Sequence, residues 1–380
     1  MTRGWCFPAV LAVVVSCFTS AVYAQNPAVQ SGVAAAPIAP SPGALPPAEA
    51  VAAPAAVPAA AAPADSPATG LSADPPWFQR FVLPVPEARE TIDDWPSCYS
   101  PGVMVNADYL NWSARRSGLD FASFVSATNP AAAPTATDSL DFDRANGVRA
   151  GLGYRFGNGW NVAWTYTYFR TASEAVVSAN LAADPKLIAT QSYLDTGLLT
   201  KVAMSSVEAD GALQVNVQDF EAQWSSCLND TVGFKAFGGF RWAKIDQTFN
   251  MSYAYAAGTG SINLPNDMDA EGLRLGAEFQ WRSSCGLCVF GRGAQSILVA
   301  DFRTRQHEVA PASAVDINVP GQTTAVIPVV EAAAGVAYAC GPWEFSTGYE
   351  MSDWFNMVQV NRTAQSLLLD GYFLRLAFLR

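Results

Sequence analysis

The side chains that could do chemistry are few and scattered. The chain holds one histidine, His307, inside Arg305-Gln306-His307-Glu308. A triad or a metal centre needs several convergent partners around such a group. A lone imidazole in a polar stretch reads instead as a solvated loop residue. Cys285-Gly286-Leu287-Cys288 has the spacing of a thiol pair, but lacks the histidine that would follow in a haem site. No Gly-rich phosphate loop follows a strand. The chain is therefore read as a non-enzyme with no cofactor and no metal. The enzymatic alternative is a hydrolase with His307 as base beside a serine.

What remains is charge set into alternating segments. Val148, Ala150, Leu152, Tyr154 and Phe156 fall on one face of a strand, and Arg149, Gly151, Gly153 and Arg155 on the other. After the tight turn Gly157-Asn158-Gly159, Trp160, Val162, Trp164, Tyr166 and Tyr168 alternate with Asn161, Ala163, Thr165 and Thr167. Leu273, Leu275, Ala277, Phe279 and Trp281 oppose Arg274, Gly276, Glu278, Gln280 and Arg282, and the C-terminus repeats the pattern through Tyr372, Leu374, Leu376 and Phe378. Period-two alternation marks half-buried strands. Further strands are expected near 103–113, 213–225, 231–246, 287–303, 325–339 and 343–357, about ten in all.

The connections sort by length. Short turns are expected at 157–159, 226–230, 284–286 and 340–342. Long polar loops are expected near 114–143, 171–212, 247–270, 304–324 and 358–365. Short turns at one end and long loops at the other are the habit of transmembrane barrels, and a soluble sandwich has no reason to adopt it. The fold class is thus all-β, an antiparallel transmembrane barrel of about ten strands over residues 101–380. Composition agrees: 14% of residues are charged and 12% aromatic, against about 25% charged in ordinary soluble domains. The net charge of -11 argues against nucleic acid, whose binding needs basic surface.

A barrel decides where the charges go. An Arg or Lys on the lipid face costs roughly 2–4 kcal/mol at the midplane. Arg149, Arg155, Lys235, Arg241, Arg274, Arg282 and Arg375, with Glu221, Glu278 and further acids at Asp219, Glu344 and Glu350, are therefore expected to line the lumen. Such a lumen is either a charged water-filled channel or an interior filled with ion pairs. Ten strands lie near the filled end of the range, because about eight enclose only side chains.

The N-terminus reads as an export signal over 1–24. Arg3 supplies charge, Phe7 to Val15 a short apolar tract, and Val22-Tyr23-Ala24 a small-residue cleavage site. Cleavage there starts the mature chain at Gln25; a lipoprotein site at Cys17 is the competing reading. Residues 25–76 form an Ala/Pro-rich linker in which recurrent prolines forbid a spanning helix. Residues 77–100 form an aromatic lead-in with Trp77, Phe78, Phe81 and Trp95. Export places Cys98, Cys227, Cys285, Cys288 and Cys340 in an oxidising space, at the expected short-turn end. Disulfides are expected, with Cys285–Cys288 and Cys98–Cys340 as candidate pairs. The odd number leaves one thiol free or bonded between chains, so an oligomer stays open.

The stretch VRAGLGYRFGNGWNVAWTYTYF from Val148 to Phe169 resembles pore-forming outer-membrane proteins typified by the Legionella major outer-membrane protein. The early strand Val103 to Trp112 with Asp108-Tyr109-Leu110 and the segment Gly272-Leu273-Arg274-Leu275-Gly276 are similar too, so the likeness spans about 100–380. The chain departs from the pattern in its Ala/Pro linker and in ending on Arg380. The resemblance implies a bacterial outer-membrane protein with a porin-like role, its partners being the lipid bilayer and small polar solutes. The alternative is a structural or surface-display barrel with a filled lumen.

Overall fold

The computed structural model describes residues 101–126, 134–181, 185–192, 202–283, 286–310, 312, 314–358 and 364–380. The export signal, the linker, the aromatic lead-in, Cys98 and Cys285 lie outside the described residues.

Ten antiparallel strands close into a barrel. In chain order they are β1 (Gly102–Arg116), β4 (Ala145–Arg155), β5 (Trp160–Ser178), β7 (Met204–Cys227), β8 (Val232–Tyr255), β9 (Gly258–Arg282), β10 (Leu287–Ala310), β11 (Val315–Cys340), β12 (Trp343–Val358) and β13 (Ala364–Leu379). The remaining short strands, β2 (Asp120–Val125), β3 (Ala136–Ser139) and β6 (Lys186–Ala189), form a separate sheet in the order β3-β2-β6. β1 closes the ring: Tyr109 faces Val148 of β4 and Leu374 of β13.

Turn chemistry sets one end. Gly159 takes a φ of 85°, a left-handed conformation that costs glycine nothing. The Asn229 side chain accepts from the backbone N–H groups of Thr231 (2.9 Å) and Val232 (2.7 Å), making the β7–β8 turn. Inside the wall, small residues let strands coil closely. A Cβ added to Gly239 would lie 1.9 Å from the Phe220 carbonyl oxygen on the neighbouring strand.

The opposite end differs from the expectation of long loops. β7 to β11 run on well past the apolar belt, so most of 204–212, 247–270 and 304–324 is strand, and His307 sits within β10. The expected loops near 114–143 and 171–212 also contain β2, β3 and β6. The extensions look polar because the alternation inverts. On β8, Phe240 and Trp242 point outward, followed outward by Lys244, Asp246 and Thr248; Ala243, Ile245, Phe249 and Met251 are buried inside. Where lipid lies outside the wall, the apolar residues face out. Beyond lipid, water lies outside and the interior must be filled, so the same period-two pattern changes sides.

That filling is a continuous apolar cluster. It includes Trp112, Phe169, Leu213, Ile245, Phe302, Ile327, Trp354 and Leu367 from the wall. Leu119, Phe121, Leu140, Phe142 and Leu187, from the inserted sheet and its flanks, join it.

Candidate functional site: the charged lumen

At the level of the apolar belt the barrel encloses a cavity of about 260 Å³. The outward wall there is aliphatic and aromatic: Val148, Leu152, Trp160, Trp164, Leu273, Leu275, Phe279, Trp281, Leu374 and Leu376 are all exposed. The inward side chains of the same strands are polar and charged. Strand parity alone produces the division.

The charges form three linked groups. In the first, Arg375 grips Asp108 through two bonds of 2.8 Å, and Asp108 also pairs with Arg149 at 3.2 Å. Arg149 reaches on to Glu350 (3.0 and 3.1 Å) and donates from Nε to the Thr167 hydroxyl at 3.1 Å. The Trp112 indole N–H donates to the same Glu350 carboxylate at 3.2 Å. In the second group, Arg241 holds Asp219 bidentately at 2.7 and 2.9 Å and reaches Glu331 at 3.1 Å. Arg274 bonds Glu331 at 2.8 Å and also pairs with Glu221, which Arg292 approaches at 3.7 Å. Arg274 and Arg292 both lie over the Phe237 ring, at 5.1 and 4.5 Å. Toward the short-turn end Lys235 pairs with Glu278 at 3.2 Å, and Gln280 bridges Glu278 to Arg282 at 2.6 and 2.7 Å. Arg155 and Glu344 also line the cavity there.

Planar guanidinium forks on carboxylates are the strong, geometrically specific kind of pair. Breaking one partner out of such a buried pair costs about 3–5 kcal/mol, because a charge is left uncompensated. The networks therefore tie strands far apart in the chain to one another across the lumen. The structure sets Arg149, Arg155, Glu221, Lys235, Arg241, Arg274, Glu278, Arg282 and Arg375 on the cavity side of the wall. Asp108, Arg292 and Glu331 complete the networks and were missed by the sequence reading. Glu331 was findable as the one acid in Val329-Val330-Glu331-Ala332-Ala333, since an acid in an apolar strand must point inward.

The outer end of the cavity is walled by Trp112, Val215, Val217, Trp354 and Leu369. Above them the apolar cluster and the inserted sheet fill the barrel. A buried polar tie holds this filling to the wall. Glu308 of β10 has no exposed surface, and its Oε1 accepts from the Tyr253 hydroxyl at 2.6 Å and from the Ser192 hydroxyl, beyond β6, at 2.7 Å.

The thiols do not pair as expected. Cys288 and Cys340 are free, so neither the Cys285–Cys288 nor the Cys98–Cys340 bridge is formed. Cys288 is buried and points into the lumen, whereas Cys340 is exposed on the outer face. Cys227 is disulfide-bonded. His307 points outward and lies 3.6 Å from Asp316 on the hairpin neighbour. Among the described residues no cluster of His, Cys, Asp or Glu could hold a metal ion.

A family model described as the Legionella pneumophila major outer membrane protein precursor matches residues 96–379. The chain belongs to this family. Its location is accordingly the outer membrane, and the apolar belt is the surface that meets lipid. Among solved structures, the outer membrane protease OmpT from Escherichia coli aligns at 10% identity and a TM-score of 0.48, over 77% of this chain and 99% of that chain. The Pseudomonas putida toluene transporter TodX aligns at 9% identity and a TM-score of 0.20, over 75% and 91%. A FadL homologue from Pseudomonas aeruginosa gives 7% identity and 0.20, over 73% and 89%. Likeness at this level carries no information about activity. No curated protein matches the chain.

Proposed function

We propose that this family member is a porin-like outer-membrane protein that passes small polar solutes through its charged lumen and is closed at rest by the inserted sheet. The observation that carries the reading is the cavity of about 260 Å³, lined by charge of both signs at the depth of the lipid-facing belt. An interior filled completely by ion pairs would leave no such space. The two signs nearly balance, which suits small polar solutes better than one class of ion.

The closure is apolar, and hydrophobic constrictions gate by excluding water. Its strength is considerable. Leu119, Phe121, Leu140, Phe142, Leu187 and Ile188 are all buried. At about 1.5–3 kcal/mol for each such side chain, full withdrawal costs on the order of 10–20 kcal/mol, an upper estimate because a withdrawn segment stays partly compact. Spontaneous complete withdrawal is therefore rare, and conductance should come as infrequent openings. The same packing favours a second reading, in which the barrel is a filled scaffold that displays its outer extension.

Planar-bilayer conductance of the refolded protein tests the choice. The whole chain should open rarely. A variant with residues 119–142 replaced by a short Gly/Ser linker should conduct steadily. If that variant folds and stays electrically silent, the passage reading falls and the scaffold reading stands.

A further inference from the structure

The girdle just outside the lipid-facing belt is uneven in charge. On the β8–β10 side it is acidic: Asp246, Asp267, Asp269, Glu271 and Asp301 face outward, eased by Lys244 and Arg303. On the β1–β4–β5 side the exposed charges at the same level are Arg115, Arg144 and Arg170, with the acids Asp143 and Glu174 flanking them.

We propose that Arg144 and Arg170, with Arg115 beside them, form a binding surface for phosphate groups of lipids in the outer leaflet. Asn146 of β4 is the register neighbour of Asn111 on β1 and lies two residues after Arg144, while Arg170 of β5 follows Phe169, the partner of Gly147. Arg144 is already positioned: its Nη1 donates to the Asn111 carbonyl at 3.3 Å, and its guanidinium lies 5.7 Å from the Tyr372 ring. Arg115 is 60% exposed at its side chain and touches Asp370 at 3.4 Å. Among the described residues neither Arg144 nor Arg170 has a carboxylate within ion-pair distance.

The occupant follows from place and chemistry. Directly below these arginines the wall presents Tyr109, Val148, Tyr168 and Tyr372, the upper edge of the apolar belt. A ligand that touches both must be apolar below and anionic at its head. Guanidinium matches phosphate bidentately, and an aromatic ring against its face limits its motion. On the far side Asp246, Asp267, Asp269, Glu271 and Asp301 outnumber the cations, which disfavours the same headgroup there.

The test uses the full chain in nanodiscs of phosphatidylcholine, with and without bisphosphorylated lipid A, and reads the thermal unfolding midpoint. Lipid A should raise the midpoint of the native chain, and lipid A stripped of phosphate should not. The double variant Arg144→Ser/Arg170→Ser should lose at least half of the rise while keeping the native midpoint in phosphatidylcholine. The control variant Lys244→Ser should keep all of it. The proposal is overturned if the native chain shows no rise, if the double variant keeps it in full, or if the variant loses stability equally in both lipids. It is overturned equally if inorganic phosphate alone reproduces the rise, since the site would then serve a free anion.

Discussion

Glu308 is the residue on which the outer closure turns. Its carboxylate serves two buried hydroxyls from different parts of the chain, Ser192 and Tyr253. Removing an acceptor leaves donors unsatisfied, at about 1–3 kcal/mol. Glu308→Ala should therefore destabilise the barrel by roughly that amount in denaturant titrations. Glu308→Gln keeps an acceptor oxygen and should lose clearly less. Equal losses would mean that packing, and not the acceptor, matters at this position. Burial, and secondarily the Glu308 carboxylate, push the Tyr253 hydroxyl above the ordinary tyrosine range. A raised folded-state pKa gives stability that is present below the unfolded value, here 10.0, and lost as pH rises past it. Unfolding midpoints should thus fall above about pH 10, and less steeply in Tyr253→Phe. A flat profile in the native chain would refute the assignment.

Among the elements, β9 shows the logic of the wall most plainly. Leu275 and Arg274 are sequence neighbours, yet one is among the most exposed apolar residues and the other is buried between Glu221 and Glu331. Leu275→Arg should cost roughly 2–4 kcal/mol and lower the folded fraction seen by heat-modifiable mobility on gels. Leu275→Val should insert normally. Full insertion of Leu275→Arg would show that this face does not meet lipid. Most of β9 was legible beforehand because its belt segment alternates without interruption. Its outer half was not, because Asn263, Asp267, Asp269 and Glu271 on the outward face read as a polar loop. The residues still alternate there. Only the side that is apolar has changed.

At the scale of the molecule, the free thiols offer a direct check of which way the wall faces. Cys340 is exposed and Cys288 buried, so a water-soluble maleimide should label Cys340 in the folded protein and reach Cys288 only on unfolding. Rapid labelling of both would mean that the lumen admits reagents freely at the short-turn end. The sequence by itself determined the all-β class, an antiparallel barrel of about ten strands, the short-turn end and the parity of its belt residues; the count of ten came from the closed ring. All but that count are local properties: side-chain alternation and turn residues are written along the chain. It could not determine that the expected loops are strands, that β2, β3 and β6 fold into the outer mouth, or that Asp108, Arg292 and Glu331 complete the ion pairs. Those depend on contacts between residues far apart, such as Asp108 with Arg375 and Ser192 with Glu308. Whether an inward charge finds a partner, and whether a polar segment lies in water or against a filled barrel, is settled only when closure of the ring brings distant strands to the same height.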